Sequence, residues 1–74
     1  MARSLHIVSG RHAELVAATI EQQKAAGDDV TVALLSGAAA PDVPAGVTVH
    51  RVPADWSYER LLEAVFVADH VATW

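Results

Sequence analysis

Apolar positions along the chain come in two rhythms, short branched runs and longer segments with a helical repeat. Leu5-His6-Ile7-Val8 is a branched run that stops at the turn signal Ser9-Gly10, and it reads as a strand buried on both faces. Residues 12–26 hold no Pro, and Leu15, Val16, Thr19, Ile20 and Gln23 fall on one helical stripe, with Glu21, Gln22 and Lys24 toward the other side. Ser9 or Gly10 stands near the N-cap of this helix, and Gly27 suits a C′ position with positive φ. After the turn Asp28-Asp29, residues 30–35 (VTVALL) read as a second strand, apolar enough to be central.

Residues 36–46 (SGAAAPDVPAG) carry two Pro and two Gly and read as loop. Residues 47–52 alternate β-formers with polar side chains, which predicts a third strand with solvent on part of one face. A second helix is expected over residues 57–68, with Tyr58, Leu61, Leu62, Val65 and Phe66 as its apolar stripe. Ser57 is its expected N-cap, Trp56 and Leu61 fit a hydrophobic staple, and Glu59 suits the positive end of the helix dipole. Residues 69–74 read either as a frayed helix end or as a short fourth strand, and their Val, Thr and Trp tip the reading slightly toward the strand.

The element order is therefore β-α-β-β-α-β. It predicts one small Rossmann-like α/β domain spanning 1–74, with a mostly parallel four-stranded sheet. A strand order 2-1-3-4 with right-handed crossovers places the helices on opposite faces. One helix per face is too little to cover four strands, so apolar sheet is expected to remain bare unless loop 36–46 folds over it. A second chain is the simplest cover.

Size strengthens that expectation. A chain of 74 residues buries only about 60% of its unfolded surface, so its stability is marginal without a staple. The absence of Cys removes disulfides and thiolate metal sites, leaving partner subunits as the staple. Apolar residues make up 53% of the chain, mostly Ala and Val, which is too hydrophobic for a disordered tail. A net charge of −4 with scattered Arg3, Arg11, Lys24, Arg51 and Arg60 argues against nucleic-acid binding. No apolar run approaches the length of a membrane span and no signal-peptide pattern opens the chain, so a cytoplasmic location is expected.

Candidate chemistry is sparse. Ser9-Gly10-Arg11-His12 joins a strand to a helix N-terminus, where free N–H groups, a hydroxyl and two basic side chains suit an anion. It is neither a G-x-G-x-x-G fingerprint nor a P-loop, and an ordinary solvated turn is the simpler reading of these residues. Ser36-Gly37 follows the second strand at the usual ligand edge of such a sheet, although a plain Ser-Gly turn is the simpler reading. His6, His12, His50 and His70 lack metal-site spacing, and His6 and His50 fall in strands that could be neighbours. Asp28, Asp29, Asp42 and Asp55 sit in turn contexts that suit capping. Tyr58 and Phe66 read as core. Trp56, Tyr58 and above all Trp74 are candidate interface anchors, with Trp74 either docked in a groove, of its own chain or of a neighbour, or exposed.

Leu5-His6-Ile7-Val8-Ser9 at one end, and Ser57-Tyr58-Glu59-Arg60-Leu61-Leu62 with Asp69-His70-Val71-Ala72-Thr73-Trp74 at the other, resemble the DsrE/DsrF/DsrH family. The likeness is nearest to the small DsrH/TusB-type subunits, and it covers both ends of the chain better than the middle. It implies a Rossmann-like sheet, assembly with like or DsrE-like subunits, and a place in sulfur relay. The chain departs from the family in being shorter between the second strand and the last helix, and in having no Cys. A persulfide requires a thiolate, so no family catalytic residue carries over and the chain cannot itself carry sulfur.

The leading expectation is thus a non-catalytic or divergent subunit acting through protein contacts, with no cofactor and no metal. The alternative is a small anion- or nucleotide-binding module using Ser9 to His12. An enzyme finds no support beyond His12 as an acid–base group, since no Cys and no G-x-S-x-G are present. The tidy last helix and strand argue against the truncated start of a larger Rossmann domain.

Overall fold

The computed structural model describes residues 2–10, 13–38 and 40–74. The elements run β1 (Arg3–Val8), α1 (Ala13–Ala25), β2 (Asp29–Leu35), β3 (Thr48–Val52), α2 (Tyr58–Val67) and β4 (His70–Thr73). All three strand pairings are parallel, giving a small Rossmann-like α/β fold.

The strand order is β3-β2-β1-β4 and not 2-1-3-4. Both orders satisfy right-handed crossovers, and what selects between them is the helix-free connection after β2. Residues 36–47 carry the chain onward past β2 in the direction already taken from β1 to β2, so this connection lies on the α1 face. The step from β3 to β4 runs back across β2 and β1, which puts α2 on the other face. The result is the order of the first four strands of the doubly wound dinucleotide-binding sheet.

Alternation along the strands assigns the faces. Val8, Val30, Val32 and Leu34 pack with Val16 and Ile20 of α1, while Leu5, Ala33 and Val52 pack with Leu61, Ala64, Val65 and Ala68. Loop 36–47 adds Ala38, Val43 and Val47 to the α1 side, so on that face the loop supplies the cover that a second helix would give. The expectation of bare apolar sheet therefore fails on the α1 face.

Local signals account for the helix ends. At the C-terminus of α1, Asp28 N–H donates to the Gln23 carbonyl (3.0 Å) and Gly27 N–H to that of Lys24 (3.0 Å), with Gly27 at φ +89°. This is the Schellman arrangement, which needs a positive φ at the Gly position. At the start of α2, the Ser57 hydroxyl accepts from Arg60 N–H at 3.2 Å. Trp56 and Leu61 pack in the same cluster, as a staple requires.

The two apolar stripes are narrower than expected. In α1, Val16 and Ile20 are fully buried and Leu15 is exposed. In α2 the departure is larger: Leu61 and Val65 face the sheet, but Tyr58, Leu62 and Phe66 point to solvent, with Phe66 87% exposed. The helix rests on the flank bearing Ala64 and Ala68, whose small side chains allow close approach. The large residues are thereby turned outward by roughly a third of a turn. Tyr58 and Phe66 are therefore surface residues and not core.

Candidate functional site

The switch point of this strand order lies between β1 and β4, at whose carboxyl ends ligands bind in related sheets. Here the chain fills that position itself. Ser9 N–H and the Ser9 hydroxyl both donate to the Trp74 carbonyl, at 2.9 and 2.7 Å. The two donors that made Ser9 attractive for an anion thus have an acceptor within the chain. Gly10 follows in a bend, and Arg11 and His12, the basic half of that candidate, lie outside the described residues.

Trp74 docks on its own chain. It packs against the α1-side core, and its indole Nε1–H donates to His6 Nδ1 at 3.0 Å. An indole N–H only donates, so Nδ1 must accept and His6 carries its proton on Nε2. That nitrogen then donates to Gln23 Oε1 at 2.6 Å. Gln23, His6 and Trp74 thus form a half-buried relay linking α1, β1 and the end of β4. His6 is 1% exposed and every ring nitrogen is satisfied, as burial demands.

His50 is not the neighbour of His6. β2 lies between their strands, and the two side chains project from opposite faces. His50 stacks on Trp56 with centroids 4.2 Å apart and planes at 16°, and the Arg60 guanidinium lies 5.4 Å from the Trp56 ring centroid. The connection from β3 to α2 fixes this stack. The Arg51 carbonyl accepts from Asp55 N–H (2.7 Å) and Trp56 N–H (3.0 Å), while the Asp55 carboxylate accepts from Arg51 N–H (2.9 Å). Asp55 is therefore a capping carboxylate, as its turn context implies.

The stack borders a cleft of about 300 Å³ between α2 and the amino-terminal half of the sheet. Arg3, Thr31, Thr48 and His50 contribute from the strands, Arg60 from the helix, and Asp29 is the one carboxylate at its edge. The sheet surface that one helix leaves uncovered is thus polar here, where an apolar surface was expected. Nothing in residues 47–52 marked the cleft except the alternation that put Thr48 and His50 on one side.

Ser36 and Gly37 are exposed and line a second, smaller depression of about 190 Å³ with Arg51, at the carboxyl ends of β2 and β3. Gly37 turns the chain there with φ +83°. No group of three or more His, Asp or Glu side chains arranged to hold a metal ion is present among the described residues. No helix among them is long and apolar enough to cross a membrane.

The third feature is the outward flank of α2. Tyr58, Leu62 and Phe66 are 63%, 60% and 87% exposed, at spacings of four residues along one ridge. Val71, on the edge strand β4 and on the same face of the sheet, is 42% exposed. Of the three interface candidates, Tyr58 belongs to this surface, whereas Trp56 and Trp74 spend their rings inside the chain. Among known proteins, no family model, no curated sequence and no solved structure matches this chain.

Proposed function

We propose that the chain is a cysteine-free assembling subunit of the DsrE/DsrH-like kind, working in the cytoplasm through contacts made by the outward flank of α2. The observation that carries this reading is the ridge Tyr58, Leu62, Phe66. The chain has a single Phe, and it is left in water. Burying such a side chain is worth about 1.5–3 kcal/mol, an appreciable sum for so small a domain.

The occupant best suited to the ridge is a second copy of the chain. Leu62 lies midway between two aromatic rings, so a two-fold axis at Leu62 sets Tyr58 against the partner's Phe66 on both sides. Such self-complementarity is what an isologous interface needs. Ridges of this four-residue spacing pack against each other at about −50°. A standard interface takes about 800 Å² from each partner, about a sixth of the 4654 Å² that the chain exposes. The ridge would form its centre and Val71 part of its surround. With no thiolate in the chain, a role in sulfur relay is confined to holding or positioning a cysteine-bearing partner.

Light scattering tests the assembly. The wild-type chain is expected at the mass of two copies at micromolar concentration, and Leu62→Glu at the mass of one with an unchanged circular dichroism spectrum. A wild-type mass of one copy throughout overturns the reading. So does an unaltered dimer in the variant.

A further inference from the structure

We propose that the cleft between α2 and the amino-terminal half of the sheet binds a compact oxyanion that also carries hydroxyl groups, of the sugar-phosphate or hydroxycarboxylate class. The proposal stands on the cleft alone and does not depend on assembly.

The sheet beneath the cleft is the first reason. Thr31, Thr48 and His50 project on the α2 face, while the intervening Val30, Val32 and Val49 pack on the α1 side. The same two strands thus present an apolar face to α1 and hydrogen-bonding groups to the cleft. None of these three polar side chains has a side-chain hydrogen bond among the described residues. Thr31 and His50 are half-buried, and neither is among the side chains whose polar atoms are sealed from water, so a ligand can take the place of water on them. Two hydroxyls and an imidazole side by side suit a ligand that both donates and accepts, as a hydroxylated molecule does.

Charge is the second reason. The chain carries −4 overall, yet Arg3 and Arg60 border this cleft, Asp29 is the one carboxylate among its lining residues, and the nearby Asp69 carboxylate accepts from the Arg3 backbone N–H at 2.9 Å. The two guanidiniums favour an anion at this part of a chain whose net charge is negative. Arg60 is held over Trp56, and Trp56 against His50, which restrains both polar groups before a ligand arrives. Arg60 also meets Glu63 at 3.2 Å, but that pair is more than half exposed and a guanidinium has five donors to share.

Size sets the class. About 300 Å³ is at the small end of ligand sites, enough for a monosaccharide phosphate and too little for a dinucleotide. The cleft also lies on the opposite flank of α2 from Tyr58, Leu62 and Phe66, so ligand and partner subunit do not compete for it.

The test is a titration of the full ¹⁵N-labelled chain with ribose 5-phosphate, citrate, inorganic phosphate and ribose at up to millimolar concentration. Saturable amide shifts centred on Thr31, Thr48, His50 and Arg60 are expected with ribose 5-phosphate or citrate, and which of the two binds tighter separates phosphate from carboxylate recognition. Ribose alone is expected to give none. Arg60→Gln and Arg3→Gln should each weaken binding about tenfold with an otherwise unchanged spectrum, and Leu62→Glu should leave it intact. The proposal is overturned by no saturable shift with either hydroxylated anion, by shifts centred on Ser9 and Gly10, or by equal affinity of the Arg variants. Inorganic phosphate binding as tightly as ribose 5-phosphate overturns the hydroxyl recognition.

Discussion

The two faces of the sheet have one helix each and are built to different ends. On the α1 face, Val8, Val16, Ile20, Val30, Val32 and Leu34 are nearly inaccessible, loop 36–47 closes the gap beside the helix, and Trp74 with His6 and Gln23 ties the margin. On the α2 face only Leu5, Ala33 and Val52 of the described apolar residues are fully buried, the helix has no fully buried residue, and both a polar cleft and an apolar ridge face solvent. The cause is topological. Two successive connections leave the sheet on one side and a single connection returns on the other. Stability therefore accumulates on the α1 face, and surface available for recognition is left on the α2 face.

Paired substitutions can break or sharpen this contrast. Ile20→Ala opens a cavity in the sealed face and is expected to cost about 2–5 kcal/mol, whereas Leu61→Ala, at a half-buried position between α2 and the sheet, should cost clearly less. Urea denaturation of both variants decides the matter, and equal losses would abolish the distinction. Trp74→Phe keeps an aromatic ring, though a smaller one, and leaves His6 Nδ1 without its donor, at a cost of about 1–3 kcal/mol. Thermal and urea unfolding should show that loss even though the change lies at the end of the last strand. Ser57→Ala removes the cap of α2 and should cost about 1 kcal/mol, with Ser57→Asp restoring most of it. At the low end, Glu63→Gln breaks an exposed pair and should shift stability by less than about 0.5 kcal/mol in the same assay. A larger effect would mean that Arg60 depends on Glu63 for its place over Trp56.

Much of the fold was legible because it is encoded in neighbouring residues. The branched run at 30–35, the Gly27 that ends α1 and the Ser57 that starts α2 each act over a few positions, and each was found where local chemistry puts it. The sites were less legible. Tyr58 and Phe66 satisfy a helical period as well as Leu61 and Val65 do, and the period alone does not say which flank meets the sheet. Thr31, Thr48 and His50 are unremarkable in their own segments and become a cluster only when β2 and β3 pair with Thr31 beside Thr48. Ser9 looked free because its acceptor, the Trp74 carbonyl, lies 65 residues away.

The amino-acid sequence by itself determined the six elements, their order, the parallel α/β class and the impossibility of thiolate chemistry, since periodicity, capping and composition are properties of short stretches. Tertiary structure alone decided that β3 lies outside β2, that loop 36–47 seals one face, and that α2 turns its aromatic ridge to solvent. Those outcomes depend on which surfaces pack best once all the elements are present. Alternatives equal in local preference, such as the orders 2-1-3-4 and 3-2-1-4, are separated only by that long-range packing.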